Sequence, residues 1–162
     1  MRSMAVALLV GVISSATTVY AETPDEWITL GARVHGGFGA FIPVGIRIGL
    51  DALQRLNAKP REVTVVYYDS DKAPCACIAD GVAIATVASV GQRTLQIAPD
   101  KSPAGTIAVI IVRRKQTSDA MKYTVADSWL SKLIEWNRMP DLRARYEAVM
   151  NADALFDVIT TK

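Results

Sequence analysis

Thr106-Ile107-Ala108-Val109-Ile110-Ile111-Val112 is the stretch on which the fold turns. An uncharged run rich in β-branched residues, followed at once by Arg113-Arg114-Lys115, reads as a strand with both faces covered and a solvated end. Glu62 to Tyr68, rich in valine and tyrosine, reads as a second strand expected in the same sheet. Thr94 to Ile97 and Met121 to Val125 add two shorter candidates.

Helical patterns lie on both sides of these strands. After a glycine-rich loop, Ile46, Leu50, Leu53 and Leu56 recur at helical spacing, Pro43 suits a first turn, and Asn57 to Pro60 ends the pattern, which predicts about four turns. Ile78, Val82 and Ala85 share the face of a second helix that Gly91 is expected to end. Beyond Asp127, read as an N-cap, Leu130, Leu133 and Ile134 mark a third, with Trp129 and Trp136 seven apart as its anchors to the core. Leu142, Tyr146, Val149 and Met150 mark a fourth after Pro140. Strands in the middle and helices at both ends predict an α+β fold. It has a central, mostly antiparallel sheet, N-terminal core helices and a C-terminal helical segment, and is not a doubly wound parallel sheet.

Residues 1–21 stand apart from this core. Arg2 gives a positive start, Met4 to Ile13 is apolar, and Val19-Tyr20-Ala21 fits a small-x-small cleavage site, so a signal peptide is expected. Ser14, Ser15, Thr17 and Thr18 interrupt the run before the roughly 20 apolar residues that a membrane span needs. Residues 22–162 are then one domain, periplasmic or secreted, with no membrane attachment after cleavage. The chain has 18 Lys and Arg against 16 Asp and Glu, with no basic run longer than Arg113-Arg114-Lys115. Such a balance excludes nucleic acid as an expected partner.

Chemistry concentrates in two places. His35 is the only histidine, and Cys75 and Cys77 are the only cysteines. In an extended segment, residues two apart point the same way, so both sulfurs could reach one ion at about 2.3 Å each. With His35 they would hold zinc and leave a fourth position open to water, substrate or a carboxylate. Asp69, Asp71 and Asp80 are the carboxylates at hand to fill that position or orient the histidine. Two other readings stand beside the metal. The cysteines could close a small, redox-labile disulfide across Ala76 or stay as free thiols, and His35 could simply be hydrogen-bonded at a loop.

Gly36, Gly37 and Gly39 precede the proline-opened helix and could let an anion rest on its free amides, or let the backbone pass close to a neighbour. The loop lacks G-x-G-x-x-G and a P-loop lysine, so no nucleotide is expected. Arg47, a charge on an apolar helix, must find a carboxylate, a carbonyl or a ligand anion.

At these residues the chain resembles the formylmethanofuran dehydrogenase E-subunit family, whose members carry H-G-H-x-C-P-G, then G-x-R-x-G on a helix, then C-x-x-D-A-[IV]-Q and T-G-C. His35-Gly36 matches the first loop and Gly45-Ile46-Arg47-Ile48-Gly49 the helix. Cys77-Ile78-Ala79-Asp80-Gly81-Val82-Ala83 matches the later segment, and Gln92-Arg93-Thr94-Leu95 the strand after it. The likeness spans about Trp27 to Val112, and the rest matches only as a helical tail without zinc-finger cysteines. Gly37, Gly39, Ala40-Phe41 and Thr86-Val87-Ala88 replace the family's second histidine, loop cysteine, Pro-Gly and T-G-C. The resemblance implies an α+β core that dimerises and a metal-capable pocket that keeps His35, Cys77 and Asp80, with Cys75 as an addition.

Two functions follow. One is a metal-binding homodimer in which His35, Cys75 and Cys77 hold zinc or a copper-like soft ion and Gly36, Gly37, Gly39 and Arg47 face a small molecule, serving that molecule or a redox partner. The other is an enzyme, working either through a metal-bound water with Asp80 as proton acceptor or through a Cys75/Cys77 thiol–disulfide pair.

Overall fold

The computed structural model describes residues 22–161, and the expected leader, residues 1–21, lies outside them. In chain order the elements are α1 (Pro24–His35), α2 (Phe41–Arg55), β1 (Val63–Tyr68), α3 (Cys77–Thr86), β2 (Leu95–Ile97) and β3 (Thr106–Arg114). They continue with β4 (Ala120–Ala126), α4 (Leu130–Asn137), α5 (Leu142–Met150) and β5 (Asp157–Thr161). The five strands form one sheet in the order β2-β1-β3-β4-β5, and only the β1/β2 pair is parallel. The fold is α+β.

A parallel pair needs a crossover, and α3 supplies it between β1 and β2. The segment leaving β1, from Asp69 to Ala76, and the first turn of α3 therefore sit at the carboxyl end of β1. Along β1, Val63, Val65 and Tyr67 are buried and alternate with partly covered Thr64, Val66 and Tyr68. Register carries the buried row across the sheet, from Tyr67 to Ile110 to Tyr123, and on to the partly buried Val158 at the edge. Tyr123 lies under α2, its hydroxyl donating to Asp51 at 2.7 Å.

The G-x-R-x-G pattern proves to be a packing device. A β-carbon on Gly45 would fall on the Ile78 carbonyl oxygen and lie 2.7 Å from the Val82 nitrogen, while one on Gly81 would fall on the Ile42 carbonyl. Backbone thus meets backbone where α2 crosses α3, which fixes the start of α3, and so Cys77, against the core. Between these glycines, Arg47 reaches the carbonyls of Val149 (3.0 Å) and Ala152 (2.6 Å) at the end of α5 and lies over the Phe156 ring. A cation at a helix C-terminus satisfies carbonyls that have no partner of their own. Arg47→Leu keeps most of the bulk but removes both bonds, and is expected to lower stability by about 2 kcal/mol in urea unfolding.

Several boundaries depart from the sequence reading. Helix α2 opens at Phe41, with Pro43 inside its first turn, where a missing amide hydrogen costs nothing. Helix α3 stops at Thr86 and not at Gly91: Val87 takes a left-handed φ of 54°, and the Ser89–Thr94 hydrogen bonds hold the loop that follows. Asp127 does not cap a helix. It begins a short 3-10 turn, and its carboxylate pairs with Lys72, so Trp129 precedes α4 and stacks on Trp136 with ring centres 6.0 Å apart. Continuous burial in β3 covers only Ile107 to Ile110, next to a register shift between Thr106 and Ala108. The expected C-terminal helical segment is present as α4 and α5, and the strand β5 that follows them was not foreseen, since it is a mostly exposed edge with no apolar alternation to announce it. No helix among the described residues is long and apolar enough to cross a membrane.

Candidate metal centre

His35 is the last residue of α1. A capping box starts that helix, with Thr23 accepting the Glu26 amide and Glu26 accepting the Thr23 amide, and Pro24 at the first position. Gly36 ends it in a left-handed conformation, φ 86°, its amide donating to the Ala32 carbonyl at 2.9 Å. Only a glycine adopts that turn at no steric cost, and the turn leaves the imidazole on the outermost coil of the helix.

The ring faces the start of α3. His35 Nδ1 and Asp80 Oδ2 are 2.7 Å apart, with 29% of the histidine side chain and 38% of the aspartate exposed. With Asp80 ionised, Nδ1 carries the proton and Nε2 keeps the lone pair, as in carboxylate–histidine–metal arrangements. Asp80 also lies in the first turn of α3, where the helix dipole favours a negative charge.

Cys77 opens α3 and is 6% exposed, and Cys75 is partly buried on the segment before it. Their sulfurs are bonded to each other, with the Cα atoms 5.2 Å apart. A ligand atom from each of His35, Cys75 and Cys77 lies within 4.8 Å of the other two. The three expected ligands therefore converge although some forty residues separate them. One nitrogen and two sulfurs at that spacing suit a borderline-soft ion, and these residues could hold a metal.

The other site expectations fall into place around this group. Of the three carboxylates, only Asp80 meets the histidine, since Asp71 (2.9 Å) and Asp69 (3.6 Å) both face Lys101. Gly37 has open space around it. Beside Gly39, the Ala40 amide at the start of α2 donates to Asn137 Oδ1 at 2.9 Å, so a protein oxygen occupies the place foreseen for an anion. Arg145 bonds the Phe38 and Met139 carbonyls and ties the same loop to the C-terminal helices. Of the partners open to Arg47, a carboxylate, a carbonyl or a ligand anion, the structure supplies carbonyls, those at the end of α5.

The sequence reading passed over Tyr67, at the carboxyl end of β1. Its side chain is fully buried, and among the described residues its hydroxyl, Asp69 Oδ1 and Ser102 Oγ have no hydrogen-bond partner. Burial first, then the negative charges of Asp69 and Asp80, hold its phenol above the usual range. The available signal was a tyrosine on the buried side of a strand two residues before an aspartate.

A family model described as FmdE, Molybdenum formylmethanofuran dehydrogenase operon, matches residues 34–157. The chain belongs to that family. The FmdE match takes in His35, Cys75, Cys77 and Asp80, and it runs on through α4 and α5, well beyond the Val112 at which the sequence likeness ended. A search of curated proteins returns no match.

If Asp80 orients His35 as a ligand, Asp80→Asn is expected to weaken metal binding by about 10- to 100-fold, as loss of such outer partners does. Competition against a chromophoric chelator measures this, and an unchanged affinity would remove Asp80 from the centre.

Proposed function

We propose that this FmdE-family member is an exported protein that holds zinc between His35, Cys75 and Cys77 and serves as a small-ligand-binding or accessory module. One observation carries the reading: ligand atoms of the chain's only histidine and its only two cysteines come within 4.8 Å of one another from separate segments. Chance burial of a lone histidine does not call for both thiols beside it, nor for a carboxylate bonded to its Nδ1. When bound, the ion would supply a Lewis-acidic centre whose fourth position is open to a small ligand. This chain's own part is to set the imidazole through Asp80 and to hold Cys77 still through the close crossing of α2 and α3.

Elemental analysis of protein purified without a histidine tag tests the reading, with about one zinc per chain expected. A metal-free protein that cannot be reloaded at neutral pH under reducing conditions would end it. Export is tested separately by mass spectrometry of the cell-envelope fraction. Cleavage after Ala21 predicts a mature chain beginning at Glu22, and an intact Met1 form confined to the cytoplasm would contradict it.

A further inference from the structure

The sulfurs of Cys75 and Cys77 are bonded to each other, yet together with His35 they also make up the metal-capable group. These two states exclude one another. A sulfur that shares its electrons with carbon and a second sulfur has no thiolate charge to give an ion, so the closed pair leaves His35 as the only donor of the three. We propose that the Cys75–Cys77 bond is a redox gate on this site: the dithiol binds a zinc-like ion and the disulfide releases it. The proposal rests on the metal reading above and adds its regulation.

Geometry favours passage between the states. The Cα separation of 5.2 Å lies within the range disulfides use. Two zinc–sulfur bonds of about 2.3 Å at a tetrahedral angle need sulfurs about 3.8 Å apart, which side-chain rotation on this short segment can supply. The third donor already lies within 4.8 Å, held by Asp80 on α3, so the imidazole need not travel. Access is uneven. Cys75 is partly exposed while Cys77 is 6% exposed on the first residue of α3. Attack therefore comes at the Cys75 sulfur, and the Cys77 sulfur departs at a helix start whose amides favour negative charge.

The exchange partner is a dithiol–disulfide protein or small thiol. In reduction, its thiolate bonds to Cys75 Sγ as the Cys75–Cys77 bond breaks, and the electron pair leaves on Cys77 Sγ. A second partner thiol then displaces Cys75, so the partner ends as a disulfide and this chain as a dithiol, two electrons richer. Metal binding afterwards displaces the thiol protons. In the reverse direction, the partner disulfide takes up the two electrons from the thiolates and two protons from solvent, the Cys75–Cys77 bond reforms, and the ion leaves with its charge unchanged.

The test compares one purified, chelator-stripped preparation in two states, reduced with a phosphine or oxidised with diamide, by zinc competition and iodoacetamide labelling. The reduced protein is expected to bind one zinc, which protects both thiols from labelling. The oxidised protein should label at neither cysteine and bind zinc at least about 100-fold more weakly, since loss of an outer partner alone reaches that size. Cys75→Ser, unable to close the bond, should bind weakly and equally in both conditions. Tight binding by the reduced protein and equal binding by the oxidised one would overturn the gate and leave the metal reading standing. Failure of the reduced protein to bind at all would overturn the metal reading, and the gate with it. Thiols that stay open under diamide without metal would overturn the gate alone.

Discussion

Gly45→Ala is expected to cost about 3 kcal/mol of stability and to lower the melting temperature by on the order of 10 °C. The added methyl would meet the Ile78 carbonyl and the Val82 amide nitrogen, which are backbone groups and cannot rotate away. The helices would have to part along the most intimate contact in the molecule, and alanine's better helix propensity, about 1 kcal/mol, offsets only part of that cost. Gly37→Ala is the matching control, because among the described residues no atom beyond its chain neighbours lies within 4 Å of the methyl it would add. Thermal unfolding of the two variants beside the parent checks the pair. A Gly45→Ala protein as stable as the parent would mean that α2 and α3 do not cross this closely, and Cys77 would then lose the support that holds it in place.

Cys77→Ser is expected to weaken zinc binding by at least about 100-fold, equivalent to about 2.8 kcal/mol, while leaving the fold intact. A serine hydroxyl keeps its proton at neutral pH and is a poor ligand, yet it is nearly the size of the thiol it replaces at the start of α3. Metal-free reduced protein should therefore melt within a few degrees of the parent, and the loss should appear only in chelator competition. An exposed change on α4, Ser131→Ala, should leave binding untouched. Parent-like affinity in Cys77→Ser would exclude Cys77 as a ligand.

The strands that could be read in advance were those whose side chains face a core. Val63 to Tyr68 and Thr106 to Arg114 announce themselves because burial demands branched and aromatic residues there. Strand β5 could not be read the same way, since Asp157-Val158-Ile159-Thr160-Thr161 lies at an exposed edge and owes its form to pairing with β4. Helix ends set by distant partners were equally hidden. Thr86 and Val87 close α3 through local bonds that no glycine marks, and Asp127 turns to Lys72, far away in sequence.

At the centre, scarcity was the useful signal. One imidazole and two thiols in the chain leave few ways to build such a site, and their ligand atoms lie within 4.8 Å of one another. Choosing Asp80 over Asp69 and Asp71 needed the fold, because only α3 turns its first carboxylate back toward the end of α1. The fates of Arg47 and the loop glycines needed it too. Val149, Ala152 and Asn137, which take up the polar groups of α2 and its entry, lie some hundred residues further along the chain.

X-ray absorption at the zinc edge of reduced, reloaded protein tests the shared centre most directly. Two sulfur neighbours at about 2.3 Å and an imidazole nitrogen at about 2.0–2.1 Å are expected, with one sulfur lost in Cys77→Ser and the imidazole signature lost in His35→Ala. A first shell of light atoms alone, or a spectrum that neither substitution changes, would contradict it.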